Sequence, residues 1–98
     1  MQRSDRIGRR LKLRDVHIPL AVAQWGSISK AAEHLAISHP VVSKAIADLE
    51  HTLGVRLFNR SSKGVEPTMY GRAFVASSRA AVDELRQGVE KPLHRVRA

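Results

Sequence analysis

The five histidines, His17, His34, His39, His51 and His94, are the first residues whose type invites a chemical reading. No two of them form a His-x-x-x-His pair, and no cluster of carboxylates joins them at zinc-ligand spacing, so no metal site and no cofactor are expected. Ser43, His39 and Asp48 offer the three groups of a hydrolytic triad. Neither a nucleophile elbow nor a Gly-rich oxyanion loop accompanies them, so no catalytic residue is assigned and the chain does not read as an enzyme. The absence of cysteine excludes disulfides, Cys-type zinc sites and thiol nucleophiles, and permits a reducing compartment. Recognition chemistry remains. Ser38, His39 and Pro40 are followed one turn later by Ser43 and Lys44, and Arg60 and Lys63 flank a turn that also holds Ser61, Ser62 and Gly64. Each has a plain structural reading as well: Ser38 and Pro40 suit any well-capped helix start, and Lys44 or Lys63 any solvated surface. The excess of cations with small polar residues around the turn suits a loop that faces phosphate.

Length and charge bound the partner. The chain has 98 residues and a formal net charge of +8, with a pI near 11.1. A single domain of this size buries about 60–65% of its unfolded surface, enough for one modest core. Residues 1–14, with Arg3, Arg6, Arg9, Arg10, Lys12 and Arg14 against Asp5, carry +5, whereas residues 15–53 carry −2, residues 54–72 carry +3 and residues 73–98 carry +2. The pattern is a nearly neutral folded unit with basic flanks, suited to a polyanionic partner. No apolar run follows the Arg-rich start as a signal peptide requires, and none approaches the roughly 20 apolar residues of a membrane span. A cytoplasmic protein with no membrane partner is expected.

These side chains need elements to hold them. Leu13, Val16, Leu20 and Ala23 lie on one helical face that ends at Gly26, with Pro19 expected to bend the helix or delay its start. Ser27 is placed to cap a short second helix reaching Leu35, with Ile28, Ala31, Ala32 and Leu35 as its apolar stripe. A tight connection through Ala36 and Ile37 leads to Ser38, the cap of a third helix whose inward face is Val42, Ile46, Leu49 and Leu53, and which Gly54 ends. Residues 55–68 read as a small hairpin around a loop from Arg60 to Gly64, with Pro67 confining the second strand to an edge. Thr68 then caps a long last helix that Pro92 is expected to end, with Phe74, Ala81, Val82, Leu85 and Val89 along one side.

Two short helices joined by a tight turn form a helix-turn-helix, whose second helix presents its first turns to the major groove. Subtracting the apolar stripe leaves His39, Pro40, Val41, Ser43, Lys44 and Ala47 facing outward. The run from Leu35 to Ile46, then Leu49-Glu50 and Leu53-Gly54-Val55-Arg56-Leu57-Phe58-Asn59-Arg60, closely resembles the N-terminal domain of LysR-type transcriptional regulators. Ala21-Val22-Ala23, Gly26-Ser27, Ala31-Ala32-Glu33, Thr68 and Gly71 extend the resemblance across residues 13–90.

The resemblance implies a mainly α fold: a winged helix-turn-helix with a small two-stranded wing and a long C-terminal linker helix. It divides the chain into a basic arm (1–12), a DNA-binding domain (13–67), a linker helix through which two copies pair (68–91) and a tail (92–98). It implies a sequence-specific regulator bound to double-stranded DNA at the nucleoid, with base contacts from His39, Pro40, Ser43 and Lys44. Backbone contacts would come from Ser27, Ser29, Ser38, Arg60 and Lys63, helix starts being natural anion sites. Pairing would use Phe74, Ala81, Val82, Leu85 and Val89 in a homodimer, with higher oligomers open. The family usually has Gln at the position of His39 and often Arg at that of Lys44. Nothing within these 98 residues resembles the family's two-lobed effector domain, so no small-molecule effector site is expected within them. The competing reading is an interaction protein that forms mixed dimers with a full-length relative.

Overall fold

The computed structural model describes residues 12–97. Residues 1–11 of the basic arm, and Ala98, lie outside the described residues. In chain order the elements are α1 (Leu13–Trp25), α2 (Ile28–Leu35), α3 (His39–Leu53), β1 (Phe58–Ser61), β2 (Gly64–Pro67) and α4 (Met69–Arg97). The fold is the expected mainly helical one with a two-stranded antiparallel wing, whose register pairs Phe58 with Pro67 and Arg60 with Val65.

Local chemistry sets most boundaries. The Ser27 hydroxyl accepts from the Lys30 N–H at 3.2 Å, and the Ser38 hydroxyl accepts from the Val41 N–H at 3.3 Å. Each satisfies one of the donors that a helix start leaves unpaired. Gly26, Ala36 and Gly54 end α1, α2 and α3 in the left-handed conformation. Thr68 caps α4 by accepting from the Gly71 N–H at 3.1 Å.

The core forms where the three short helices meet the wing. Ile18, Ala21 and Val22 of α1, Ile28, Ala31 and Ala32 of α2, and Val42, Ile46 and Leu49 of α3 bury together with Leu57 and Phe58. The alanines let α2 approach its neighbours closely, which is what a compact helix-turn-helix requires.

Three expectations are corrected. α1 begins at Leu13, well before Pro19. The Asp15 carboxylate accepts from the Lys12 N–H at 2.9 Å and fixes the first turn. Proline then removes only the one hydrogen bond owed to the Asp15 carbonyl, while its ring is fully buried in the core. The wing turn is shorter than expected, since Arg60 and Ser61 belong to β1 and Gly64 to β2, leaving only Ser62 and Lys63 between the strands. Cross-strand pairing extends into residues whose composition alone suggests loop. Finally, α4 passes Pro92 and continues to Arg97, so residues 92–97 are helical where an unstructured tail was expected. By Pro92 the helix already has about six turns, and proline deletes a single bond from it. Among the described residues no helix is long and apolar enough to cross a membrane.

Candidate nucleic-acid interface

α3 is oriented by what it buries. With Val42, Ile46 and Leu49 locked into the core, the opposite face places His39, Pro40, Lys44, Ala47 and Asp48 in solvent. Ser43 and Val41 lie at the margin, half-buried. Of the four expected base-contact residues, His39, Pro40 and Lys44 are therefore fully presented and Ser43 is flanking. The Lys44 ammonium pairs with Asp48 Oδ2 at 2.7 Å, one helical turn away.

The serines expected at the backbone are divided by the structure. Ser27 and Ser38 spend hydroxyl acceptor capacity on their own helix caps, and each hydroxyl keeps its O–H to donate. Ser29, in the first turn of α2, is exposed. The three therefore stand at the starts of two successive helices.

The wing is attached by backbone hydrogen bonds. The Val65 N–H donates to the Gly26 carbonyl at 3.0 Å, tying β2 to the turn that starts α2. Gly64 makes this approach possible: its φ is +123° and an added Cβ would lie 2.5 Å from the Gly26 carbonyl oxygen. Arg60 is exposed on β1 and Lys63 is exposed in the turn. Arg60 also borders a hollow of about 290 Å³ with Ala47 of α3, Glu50 and Arg56, so α3 and the root of the wing share one surface.

Two residues with structural or electrostatic weight were not singled out by sequence. The Glu50 carboxylate, 17% exposed, accepts from the Leu57 N–H at 2.7 Å and the Phe58 N–H at 3.3 Å, with the Arg56 Nε at 3.8 Å. It couples α3 directly to the strand that carries Arg60. Its sequence signal is faint: a carboxylate next to the apolar stripe, where a fully solvated charge is the ordinary case. Arg56 adds a cation beside Arg60, and the alternation Val55-Arg56-Leu57 is the only hint that it points outward.

α4 sorts its apolar stripe into two parts. Phe74 packs against the domain's own core, and Val75 and Ser78 are buried. A Cβ on Gly71 would collide with the Leu57 carbonyl, so α4 leaves the wing in close backbone contact. Val82 is half-buried beside α1 residues Leu20 and Gln24. Ala81 is exposed, and Leu85 and Val89 are 59% and 63% exposed. The own-domain contacts of the stripe thus fade along the helix. Among the described residues no group of three His, Cys, Asp or Glu side chains is arranged to hold a metal.

Known proteins share this arrangement. The family model of the bacterial regulatory helix-turn-helix proteins, lysR family, matches residues 13–72. The uncharacterized HTH-type transcriptional regulator YdcI of Escherichia coli (strain K12) is 35% identical over 95 residues, 97% of this chain and 31% of that protein. The HTH-type transcriptional regulator GbpR of Azospirillum brasilense is 38% identical over 82 residues, covering 84% of this chain and 24% of that one. This chain therefore spans a quarter to a third of the length of such regulators. Among solved structures, the BenM DNA-binding domain in complex with catB site 1 DNA superposes with a TM-score of 0.82 at 30% identity, over 90% of this chain and 98% of that one. The CbnR DNA-binding domain bound to DNA gives a TM-score of 0.79 at 29% identity, over 88% and 99%.

Proposed function

The chain belongs to the lysR family of bacterial regulatory helix-turn-helix proteins, and from that premise we propose that it is a sequence-specific, double-stranded DNA-binding transcriptional regulator acting at the nucleoid. The observation that carries this reading is α3 itself: its apolar face is buried, and its first two turns present His39, Pro40 and Lys44 to solvent with Ser43 at the margin. In the major groove these four read base edges. An imidazole in its neutral form offers one donor and one acceptor, so His39 brings a different code from the bidentate amide usual in the family.

Phosphate grip is assigned elsewhere. Ser27, Ser29 and Ser38 supply hydroxyls at helix starts, where orphan N–H groups and the helix dipole favour an anion. Arg60 and Lys63 on the wing reach the adjacent minor groove or its phosphates, and the basic arm adds non-specific attraction. In our reading residues 13–67 are the DNA-binding unit, and α4 pairs two copies through Ala81, Val82, Leu85 and Val89, while Phe74 belongs to the domain core.

Fluorescence anisotropy of the 98-residue chain with labelled duplexes across a salt series tests the DNA reading. The logarithm of the binding constant is expected to fall linearly with the logarithm of salt, by about 0.9 per phosphate contacted. Affinity for duplex DNA that is absent at every salt concentration contradicts the reading. For pairing, Leu85→Asp is expected to halve the sedimenting mass, and a mass unchanged by it removes α4 as the interface.

A further inference from the structure

Asp48 stands one turn beyond Lys44 on the exposed face of α3, where a carboxylate works against any approach to phosphates. Its Oδ2 accepts from the Lys44 ammonium at 2.7 Å, and the two side chains are 65% and 77% exposed. Exposed pairs of this spacing contribute little stability, so folding gives scant reason for the carboxylate. The groove beside the pair is also bordered by Lys12, Arg14 and Asp15, so the pair faces an open, polar hollow rather than packed protein.

The hydrogen-bond inventory of the pair is specific. An ammonium has three N–H donors, of which one is directed to Oδ2 and two remain, and the carboxylate keeps further acceptor sites. Side by side, a hydrogen bond apart, the pair therefore displays donors next to an acceptor. The major-groove edge of a G·C base pair is the complement: guanine N7 and O6 accept, and cytosine N4–H donates, with O6 and N4 themselves hydrogen-bonded to each other. An A·T pair places its N6 donor between its two acceptors, so it cannot take both free lysine N–H groups beside the carboxylate.

Resting on the DNA-reading function above, we propose that Lys44 and Asp48 act as one reader of a single G·C base pair, the ammonium on guanine N7 and O6 and the carboxylate on the cytosine N4–H. Asp48 is then a specificity-determining residue. Because the pair is neutral as a unit, it discriminates bases without adding attraction for phosphates of any sequence.

The test is selection from a random duplex library by the 98-residue chain and by Asp48→Ala, followed by binding to the selected duplex carrying N4-methylcytosine in its G·C column. Asp48→Ala keeps a good helix former at an exposed site, and an unchanged circular dichroism spectrum verifies the fold. The preference for that one column is expected to fall about ten-fold in Asp48→Ala while other columns hold. Asp48→Asn, which retains an acceptor oxygen, restores part of it. N4-methylcytosine weakens the unmodified chain about ten-fold and the alanine variant hardly at all. A selected motif identical in Asp48→Ala, or equal weakening of both chains by N4-methylcytosine, overturns the assignment while leaving DNA reading intact. A chain that enriches no sequence at all overturns the reading beneath it as well.

Discussion

Over residues 39–48 of α3, the exposed side chains are an imidazole, a proline, an alanine and a lysine already neutralised by Asp48, all carried on a helix whose opposite face buries Val42, Ile46 and Leu49. On the wing, Arg60 and Lys63 are exposed with no ion-pair partner among the described residues, on two four-residue strands held by a few backbone hydrogen bonds. The first region lies directly over the core and is nearly neutral; the second is tied to the core at its root, through Phe58 and Val65, and is cationic at its exposed end. Base discrimination needs donors and acceptors fixed to within a fraction of an ångström, which core packing provides. Attraction to phosphate is long-ranged and tolerant of position, which loose cations provide equally well. The contrast also explains why a helix-turn-helix span of net −2 can sit inside a chain of net +8.

The largest effect is expected beneath the reading face of α3. Ile46→Ala, under the exposed face of α3, is expected to cost about 2–5 kcal/mol in urea unfolding, because a buried side chain leaves a cavity between α3 and its neighbours. A loss below 1 kcal/mol would mean that α3 is not held by its core face. Glu50→Ala should come next. It leaves the Leu57 and Phe58 N–H groups without their charged acceptor, a loss of about 1.5–3 kcal/mol. Hydrogen exchange should show faster opening at Leu57 and Phe58 than at Val42 or Ile46, and equal acceleration everywhere would deny Glu50 its role as the tie between helix and wing. Arg60→Ala should have the smallest effect. All duplexes should weaken alike, by up to about 1 kcal/mol, with the salt slope reduced by about 0.9. A loss confined to one sequence would make Arg60 a base reader instead.

Elements governed by neighbouring residues were legible in the sequence. Ser27, Ser38 and Thr68 act through N–H groups three residues away, and Gly26 and Gly54 through their own backbone freedom, so each boundary could be placed without knowing the fold. Pro19 and Pro92 misled for the opposite reason. Their local cost is real, but burial of one ring and the length of the other helix outweigh it, and neither is visible in a short window. Glu50 is the same lesson at the interface. Its partners lie seven and eight residues along the chain, across the α3–β1 turn, and only the folded geometry turns an ordinary surface carboxylate into an anchor. For the interface itself, the outward set on α3 followed from subtracting a 3.6-residue apolar stripe. The pairing of Lys44 with Asp48 and the shared hollow of Ala47, Arg56 and Arg60 required coordinates.

The most direct test of the division between a reading helix and a gripping wing is the affinity of Lys44→Ala for a selected duplex and for random-sequence DNA, measured side by side at one salt concentration. A loss of about 1–3 kcal/mol is expected on the selected duplex and much less on random DNA, so that the specificity ratio collapses. Equal loss on both would contradict it, making Lys44 one more phosphate contact and α3 no different in kind from the wing.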